Sequence, residues 1–231
     1  MSVPLLVEHD LEKLIIDFPS LDFSDAERKA VLLEMGSRDV QAAPGSGKTT
    51  LLAAKLQLLA DKWTHRHRGI CVLSHTNVAR DEISRRLSAS STGARLLGYP
   101  HYVGTIHAFV NQFLALPLLR SDGEAVDVVD NEIFAAQALS LLRTKWTLNA
   151  WVRNNPQRGP AAIASLRYQG ADLTLGYEDG GLPGPGTASW TEAQQLKDRL
   201  RAKGVFRFDD MFAFAKRLLV RFPDLPKRLS H

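Results

Sequence analysis

The spacing of apolar positions changes several times along the chain, and each change predicts an element. Ser37 to Ala43 reads as a short strand running into a Gly/Ser/Pro turn. Lys48 to Ala60 reads as a helix with Leu52, Leu56 and Leu59 on one face. Gly69 to Ser74 (GICVLS) is an apolar run of strand length, and its Ile, Val and Cys content predicts a buried parallel strand. Asn77 to Leu87 places Ala79, Ile83 and Leu87 at helical spacing, and His101 to Gly104 predicts another strand. Ile106, Phe109, Val110, Phe113 and Leu114 then form an i, i+3, i+4, i+7, i+8 stripe. Strand and helix in alternation predict a parallel sheet with helices on both faces.

From about Leu116 to Gly204 the periodicity is mainly helical, without strong strands. Phe134, Ala138, Leu141 and Leu142 mark one helix, with Asp130 placed to cap it. A Gly/Pro-rich stretch follows, and Ser189 and Glu192 stand at capping-box spacing before a charged helix that ends near Gly204. The last helix, Asp209 to Phe222, carries Met211, Ala215, Leu218 and Phe222 on its buried face. The expected organisation is therefore residues 1–115 as an α/β layer, 116–204 as an inserted helical subdomain, and 205–231 as a return to the first layer.

Composition changes this picture little. Of 231 residues, 45% are hydrophobic and 23% charged, which suits a soluble protein with a real core. No apolar stretch approaches the roughly 20 residues of a membrane-spanning helix, the longest being Phe113 to Leu119. The acidic start, with Glu8, Asp10 and Glu12, is unlike a secretory signal, so a cytoplasmic location is expected. The single cysteine, Cys71, excludes an internal disulfide and is expected to be a buried, inert thiol. A net charge of +4 is compatible with a nucleic-acid partner without demanding one.

The chemistry begins with Ala42-Ala43-Pro44-Gly45-Ser46-Gly47-Lys48-Thr49. Backbone N–H groups converging at a helix N-terminus hold a triphosphate well, and the helix dipole favours its charge. Gly45 and Gly47 permit the backbone angles and close approach such a loop needs. Lys48 is placed to reach the β- and γ-phosphates, Thr49 to ligate Mg²⁺ through its hydroxyl, and Thr50 to continue the site. The strict pattern begins with Gly, where this chain has Ala42. Even the relaxed pattern arises by chance in only about one chain in fifty of this length, so a nucleotide triphosphate with Mg²⁺ is the expected ligand, which fits kinases, GTPases, transporters and helicases alike.

Two further segments narrow the class. Ser74-His75-Thr76-Asn77 follows one predicted strand, and Gly104-Thr105-Ile106-His107 follows the next. Both put small hydroxyl, amide and imidazole groups at the C-terminal ends of parallel strands, the edge where open α/β sheets bind ligands. Such groups suit the phosphate oxygens of a single nucleic-acid strand.

In these segments the chain resembles the UvrD/Rep-like superfamily 1 helicases. AAPGSGKT is similar to their motif I, LSHTNVARDEISRRL to motif Ia and VGTIHAF to motif Ic, in the same order and spacing. Phe206 to Met211 looks like the helix that precedes motif II, and the region between resembles the inserted subdomain called 1B. The resemblance implies a RecA-like, P-loop NTPase fold and ATP-driven 3′-to-5′ translocation on single-stranded DNA with duplex unwinding. Ser74, His75, Thr76, Asn77, Thr105 and His107 would lie along the DNA. The implied partners are single-stranded or partly duplex DNA and a nuclease or a repair or defence subunit.

Departures accompany the likeness. Glu27 stands where the family places an adenine-reading Gln, and an ionised carboxylate cannot donate to N7. His75 replaces an aromatic of motif Ia. The Asp-Glu pair of motif II and the second motor domain are not in the sequence, which leads to the expectation of a partial reading frame, inactive alone. The alternative is a non-catalytic ATP- or DNA-binding module that serves a partner subunit. Asp209 and Asp210 are expected to cap a helix, Trp146 and Trp151 to pack within the insertion, and Arg80, Arg85 and Arg86 to form either a solvated face or a DNA groove. His65 and His67 lack a third ligand for a metal.

Overall fold

The computed structural model describes residues 4–17, 25–43, 45–177, 181 and 183–230. Its contacts divide into two compact units, residues 1–106 and 107–231. No helix among the described residues is long and apolar enough to cross a membrane.

The first unit runs α1 (Glu8–Asp17), α2 (Ala26–Leu33), α3 (Lys48–Lys62), β1 (Cys71–Ser74), α4 (Asn77–Ser88), α5 (Ser91–Ala94) and β2 (Tyr102–Thr105). Strands β1 and β2 pair in parallel, Cys71 opposite Tyr102 through Ser74 opposite Thr105, with α4 in the crossover between them. Gly69 stands where the two strands begin. A Cβ there would lie 1.8 Å from the Pro100 carbonyl oxygen, so only glycine allows this approach. Just beyond, the Tyr102 N–H donates to Ile70 O (2.9 Å) and the Ile70 N–H donates to His101 Nδ1 (3.1 Å).

Helix α3 departs from the one-faced helix its sequence predicts. Residues 53, 54 and 56–60 are all buried, whereas Leu52 is 40% exposed. Ala54, Leu58 and Leu59 pack with Leu6, Leu11, Leu14 and Leu32 on one side. Leu56 and Ala60 pack with Val72, Ile83, Leu87 and Leu96 on the other. A helix apolar on most sides belongs between layers, and a buried leucine is worth about 1.5–3 kcal/mol there.

The sheet is smaller than expected. Residues 37–43 are exposed and form no strand, and β1–β2 is the pairing found among the described residues of this unit. Strand β1 alternates, with Val72 and Ser74 buried and Cys71 and Leu73 exposed, so it is covered on one face rather than two. The Cys71 thiol is accordingly exposed, contrary to the expectation of a buried one. The supported architecture is mixed α/β with short parallel pairings.

The second unit continues with α6 (Ile106–Val110), a π-helical turn at Asn111–Ala115, α7 (Leu116–Ser121), β3 (Val128–Val129), α8 (Asn131–Leu142), α9 (Trp146–Asn154) and α10 (Gly159–Ala164). Then come β4 (Arg167–Gln169), β5 (Thr174–Gly176), α11 (Ala188–Ala202), β6 (Val205–Phe206), α12 (Phe208–Arg221) and α13 (Leu225–Ser230). In the π turn the Leu116 N–H reaches back five residues to Asn111 O, just before Pro117, which has no N–H to offer the ladder.

The core of this unit gathers Phe134, Ala138 and Leu142 of α8 with Leu148, Val152, Ile163, Ala193, Leu196 and Leu200. Asp130 caps α8 as expected, accepting from the Glu132 and Ile133 N–H groups. Helix α11 is capped by Thr187, not by Ser189 and Glu192. Ser189 Oγ donates to Thr147 O (3.1 Å), and Glu192 accepts from the Leu148 N–H (2.8 Å), so it serves the first turn of α9, where Lys145 offers no side-chain cap. Trp151 packs against the core, but Trp146 is 86% exposed, two helical positions (about 200°) away from buried Leu148. The stretch expected to be mainly helical also contains short strands. β4 and β5 form an antiparallel hairpin, and β3 pairs in parallel with β6.

One buried ion pair joins α11, α12 and β4. Lys197 Nζ lies 2.6 Å from Asp210 Oδ2, the two side chains being 1% and 0% exposed. Asp210 also accepts from the Tyr168 N–H (2.7 Å) and the Arg207 N–H (2.8 Å), and Lys197 donates to Leu166 O (3.1 Å). Lys197 further lies 4.1 Å from the centre of the Phe134 ring. Burial pushes its ammonium down to about 8, against the opposing pull of Asp210. Asp210 thus caps α12, as its place in the sequence led us to expect, while Phe222 at the far end of the stripe is half-exposed rather than buried.

Lys197→Met should leave a buried carboxylate without its counter-charge and destabilise the second unit by about 3–5 kcal/mol. Urea unfolding followed by the fluorescence of Trp146, Trp151 and Trp190 reads this, and a loss below about 1 kcal/mol would show that the pair is dispensable. In the first unit, burial and then the Arg95 charge hold His101 below its ordinary 6.5. The unfolded chain therefore takes up this proton first. The stability contributed by neutral His101 should be complete above pH 6.5 and fall as pH drops through the lower folded value. The urea midpoint read by Trp63, 5.9 Å from the His101 ring, should show that fall, and His101→Gln should remove it.

Candidate functional site

Residues 41–43 and 45–47 precede the N-terminus of α3. Gly45 and Gly47 adopt φ of +80° and +86°, the left-handed region open to glycine. Neither would meet another atom within 4 Å if it carried a Cβ, so what glycine provides here is conformation and open space in front of the loop. Gly47 is the N-cap and supplies no side-chain acceptor. The first-turn N–H groups of α3 have no intrahelical acceptor, as at any helix start, and carry the positive end of its dipole. This suits a polyanion such as a nucleotide triphosphate.

The Lys48 ammonium folds back over this turn and donates to the carbonyls of Ala42 and Ala43, the latter at 2.9 Å. The Ser46 N–H closes the turn onto Ala43 O (3.2 Å), and the Leu51 N–H begins the helix ladder at Gly47 O (2.9 Å). Ala42, Ala43, Gly45, Ser46 and Lys48 are exposed, and Gly47, Thr49 and Thr50 are half-buried. Pro44 lies outside the described residues. A half-buried Thr49 hydroxyl in the first turn, next to the lysine, is chemically suited to a hard cation such as Mg²⁺.

Glu27 sits in the first turn of α2 and is exposed. That helix is tied to α3 by Lys55, whose ammonium donates to the carbonyls of Val31 (2.7 Å) and Glu34 at the end of α2. Burial lowers the proton affinity of the Lys55 ammonium, partly countered by Glu34. Sequence reading did not find this tie, because a single lysine in a helix carries no signal of its target.

The second cluster lies at the ends of β1 and β2, where the register sets Ser74 directly across from Thr105. Both are buried, at 8% exposure. Ser74 Oγ donates to Thr76 O (2.9 Å), and Thr76 Oγ1 caps α4 by accepting from the Ala79 N–H (3.2 Å). His75, Thr76 and Asn77 are exposed. His107 falls in the second unit, with its ring edge-on to Phe212 (5.0 Å) and Phe208 (6.2 Å) of α12. The arrangement thus brings Ser74 together with Thr105, and gives His107 an aromatic setting of its own.

The basic residues of α4 are not a free cationic face. Arg80 pairs with Asp81 (2.7 Å), and Arg85 and Arg86 both pair with Glu82 (2.9 and 2.6 Å). Hydrogen bonds from Arg85 and then Arg86 hold the Glu82 carboxyl below its ordinary range. Arg86 NH1 also donates to Thr50 Oγ1 (2.7 Å), joining α4 to the first turn of α3. The expectation of a solvated face or a DNA groove did not include these partners, of which Thr50 lies 36 residues away in sequence.

A glycine-rich turn opening onto a helix, beside a parallel strand–helix–strand unit, makes the first unit mixed α/β. The chain belongs to the UvrD/REP helicase N-terminal domain family, whose profile matches residues 23–231. This agrees with the resemblance carried by the three sequence motifs. The chain is also 34% identical over 105 residues to Gabija protein GajB of Bacillus cereus (strain VD045). That alignment takes in 45% of this chain and 19% of the relative's length.

Thr76→Ala should cost about 1 kcal/mol through loss of the α4 cap, and Thr76→Ser should cost less than half of that. Urea unfolding measures both, and equal losses would show that the hydroxyl does not cap the helix in solution.

Proposed function

We propose that this chain is the ATP-binding part of a UvrD/Rep-type DNA helicase, coupling ATP hydrolysis to translocation on single-stranded DNA and to duplex unwinding. The observation that carries the reading is the turn at residues 42–49. Two left-handed glycines, an uncapped helix start and a lysine lie within one short segment of a chain that belongs to the helicase family. The main-chain amides of that segment and the first turn of α3 would bind the terminal phosphates. Lys48 would exchange its two carbonyl partners for phosphate oxygens, and Thr49 would ligate Mg²⁺. Bound Mg-ATP supplies the phosphoryl group whose hydrolysis drives the motor. Glu27 would accept from the adenine amine, an incomplete substitute for an amide.

On this reading Ser74, His75, Thr76, Asn77, Thr105 and His107 follow the DNA strand. The adjacency of Ser74 and Thr105 supports it, because it draws two separate segments to one strand edge. Residues 1–115 and 205–231 would form the ATP-binding subdomain and 116–204 the insertion of the 1B kind. DNA, single-stranded or partly duplex, and a nuclease or a repair or defence subunit are the partners in this proposal. Turnover and unwinding are assigned to the whole protein of this type, not to the length of chain described.

Lys48→Ala should weaken binding of a fluorescent ATP analogue by at least about 100-fold, because a charge-assisted contact to phosphate is lost. The cost in stability should stay under about 1 kcal/mol, since the side chain is exposed. Unchanged affinity in that variant would remove the nucleotide assignment, and with it the motor.

A further inference from the structure

Helix α4 connects two parts of the molecule that sequence reading treats separately. Its first residues, Thr76 and Asn77, stand at the edge assigned above to DNA, and its last turn holds Arg86. The 12 residues make a stiff rod about 18 Å long. Arg86 Nε donates to Glu82 Oε1 (2.6 Å), which fixes the guanidinium plane, and NH1 is then directed at Thr50 Oγ1 (2.7 Å). Thr50 directly follows Thr49 in the first turn of α3. The apolar contacts of Ile83 and Leu87 with Leu56 and Ala60 already pack the two helices together. The polar link is a separate feature, at the end of α3 that faces the phosphate loop.

The donor sense of the bond matters. A guanidinium can only donate, so the Thr50 oxygen is obliged to accept from it. The hydroxyl proton of Thr50 is then directed away from Arg86.

We propose that Arg86 is a positioning residue: it holds Thr50 and the first turn of α3 in register with α4, and so transmits nucleic-acid engagement at the head of α4 to the nucleotide loop. This rests on the reading given under Proposed function. A lysine would not reproduce it, because its single ammonium nitrogen lacks the separate, coplanar Nε and Nη donors that reach Glu82 and Thr50.

The test is equilibrium binding of a fluorescent ATP analogue with Mg²⁺ to the full chain, with and without saturating single-stranded oligothymidylate. For the unsubstituted chain the oligonucleotide should change nucleotide affinity by at least about fivefold, the lower end of ordinary site-to-site coupling. Arg86→Lys should reduce that factor to below about twofold, with oligothymidylate affinity changed by less than the coupling factor it removes. Thr50→Val, which also lowers nucleotide affinity itself, should abolish the same factor, and the double variant should lose no more of it than either single one. Additive losses in the double variant would overturn the proposal. So would an Arg86→Lys protein that is less stable in urea yet keeps the full factor, since a role in packing alone predicts that result. An unsubstituted chain that binds both ligands without coupling sinks this inference and leaves the functional reading standing. One that binds no nucleotide sinks both.

Discussion

The position of α3 between two apolar clusters is the constraint on which the first unit depends. Its middle is buried against α1 and α2 on one side and against β1 and α4 on the other. A helix held in this way cannot roll to improve the fit of its own N-terminus. The direction of its dipole and of its first N–H groups is settled by packing several residues further along. The two left-handed glycines then bring the chain round to that fixed point. Lys55 and Arg86 add polar ties from α2 and α4 to the same helix. Nearly every feature proposed to read a nucleotide is therefore referred to one rigid element.

The second unit is organised differently. Its centre is a charged group held by polar partners inside an aromatic shell of Phe134 and Tyr168. Such a pair adds little net stability compared with a well-packed apolar alternative, because both ions lose water. What it fixes is register. Asp210 accepts from main-chain N–H groups of β4 and of the start of α12, and receives Lys197 from α11, so a shift of any one of the three would strand a charge.

How much of this was legible in the sequence follows from the range of the interactions. The glycine-lysine loop, the helix after it, α4, α8 and α12 were readable because caps and apolar stripes are local signals. Asp130 and Asp210 cap the helices that their positions indicated. Family membership was legible too, since three short motifs stood in order. The burial of α3 on both sides was not: Leu52, Leu56 and Leu59 read as one face, whereas Leu52 is exposed and Leu56 and Leu59 belong to opposite clusters. The one-sided exposure of β1 misled for a related reason: an apolar run does not tell which faces are covered. Cys71 was misplaced inside with that run, and Trp146 with the helix that carries it. Glu192 stood at capping spacing within its own helix, yet serves the start of α9, a partner 44 residues away in sequence. The Arg86–Thr50 bond, 36 residues apart, was invisible for the same reason.

The inward fold of Lys48 bears on which anions the proposed site would discriminate against. Its ammonium already rests on two carbonyl dipoles, so an incoming ligand must compete with them rather than with bulk water alone. A weakly charged monoanion such as chloride offers one diffuse charge and little reason for the side chain to leave. A polyphosphate presents several charged oxygens at once, to the ammonium and to the helix amides together. On that reading the loop would carry a threshold against abundant small ions, set by the molecule's own main chain.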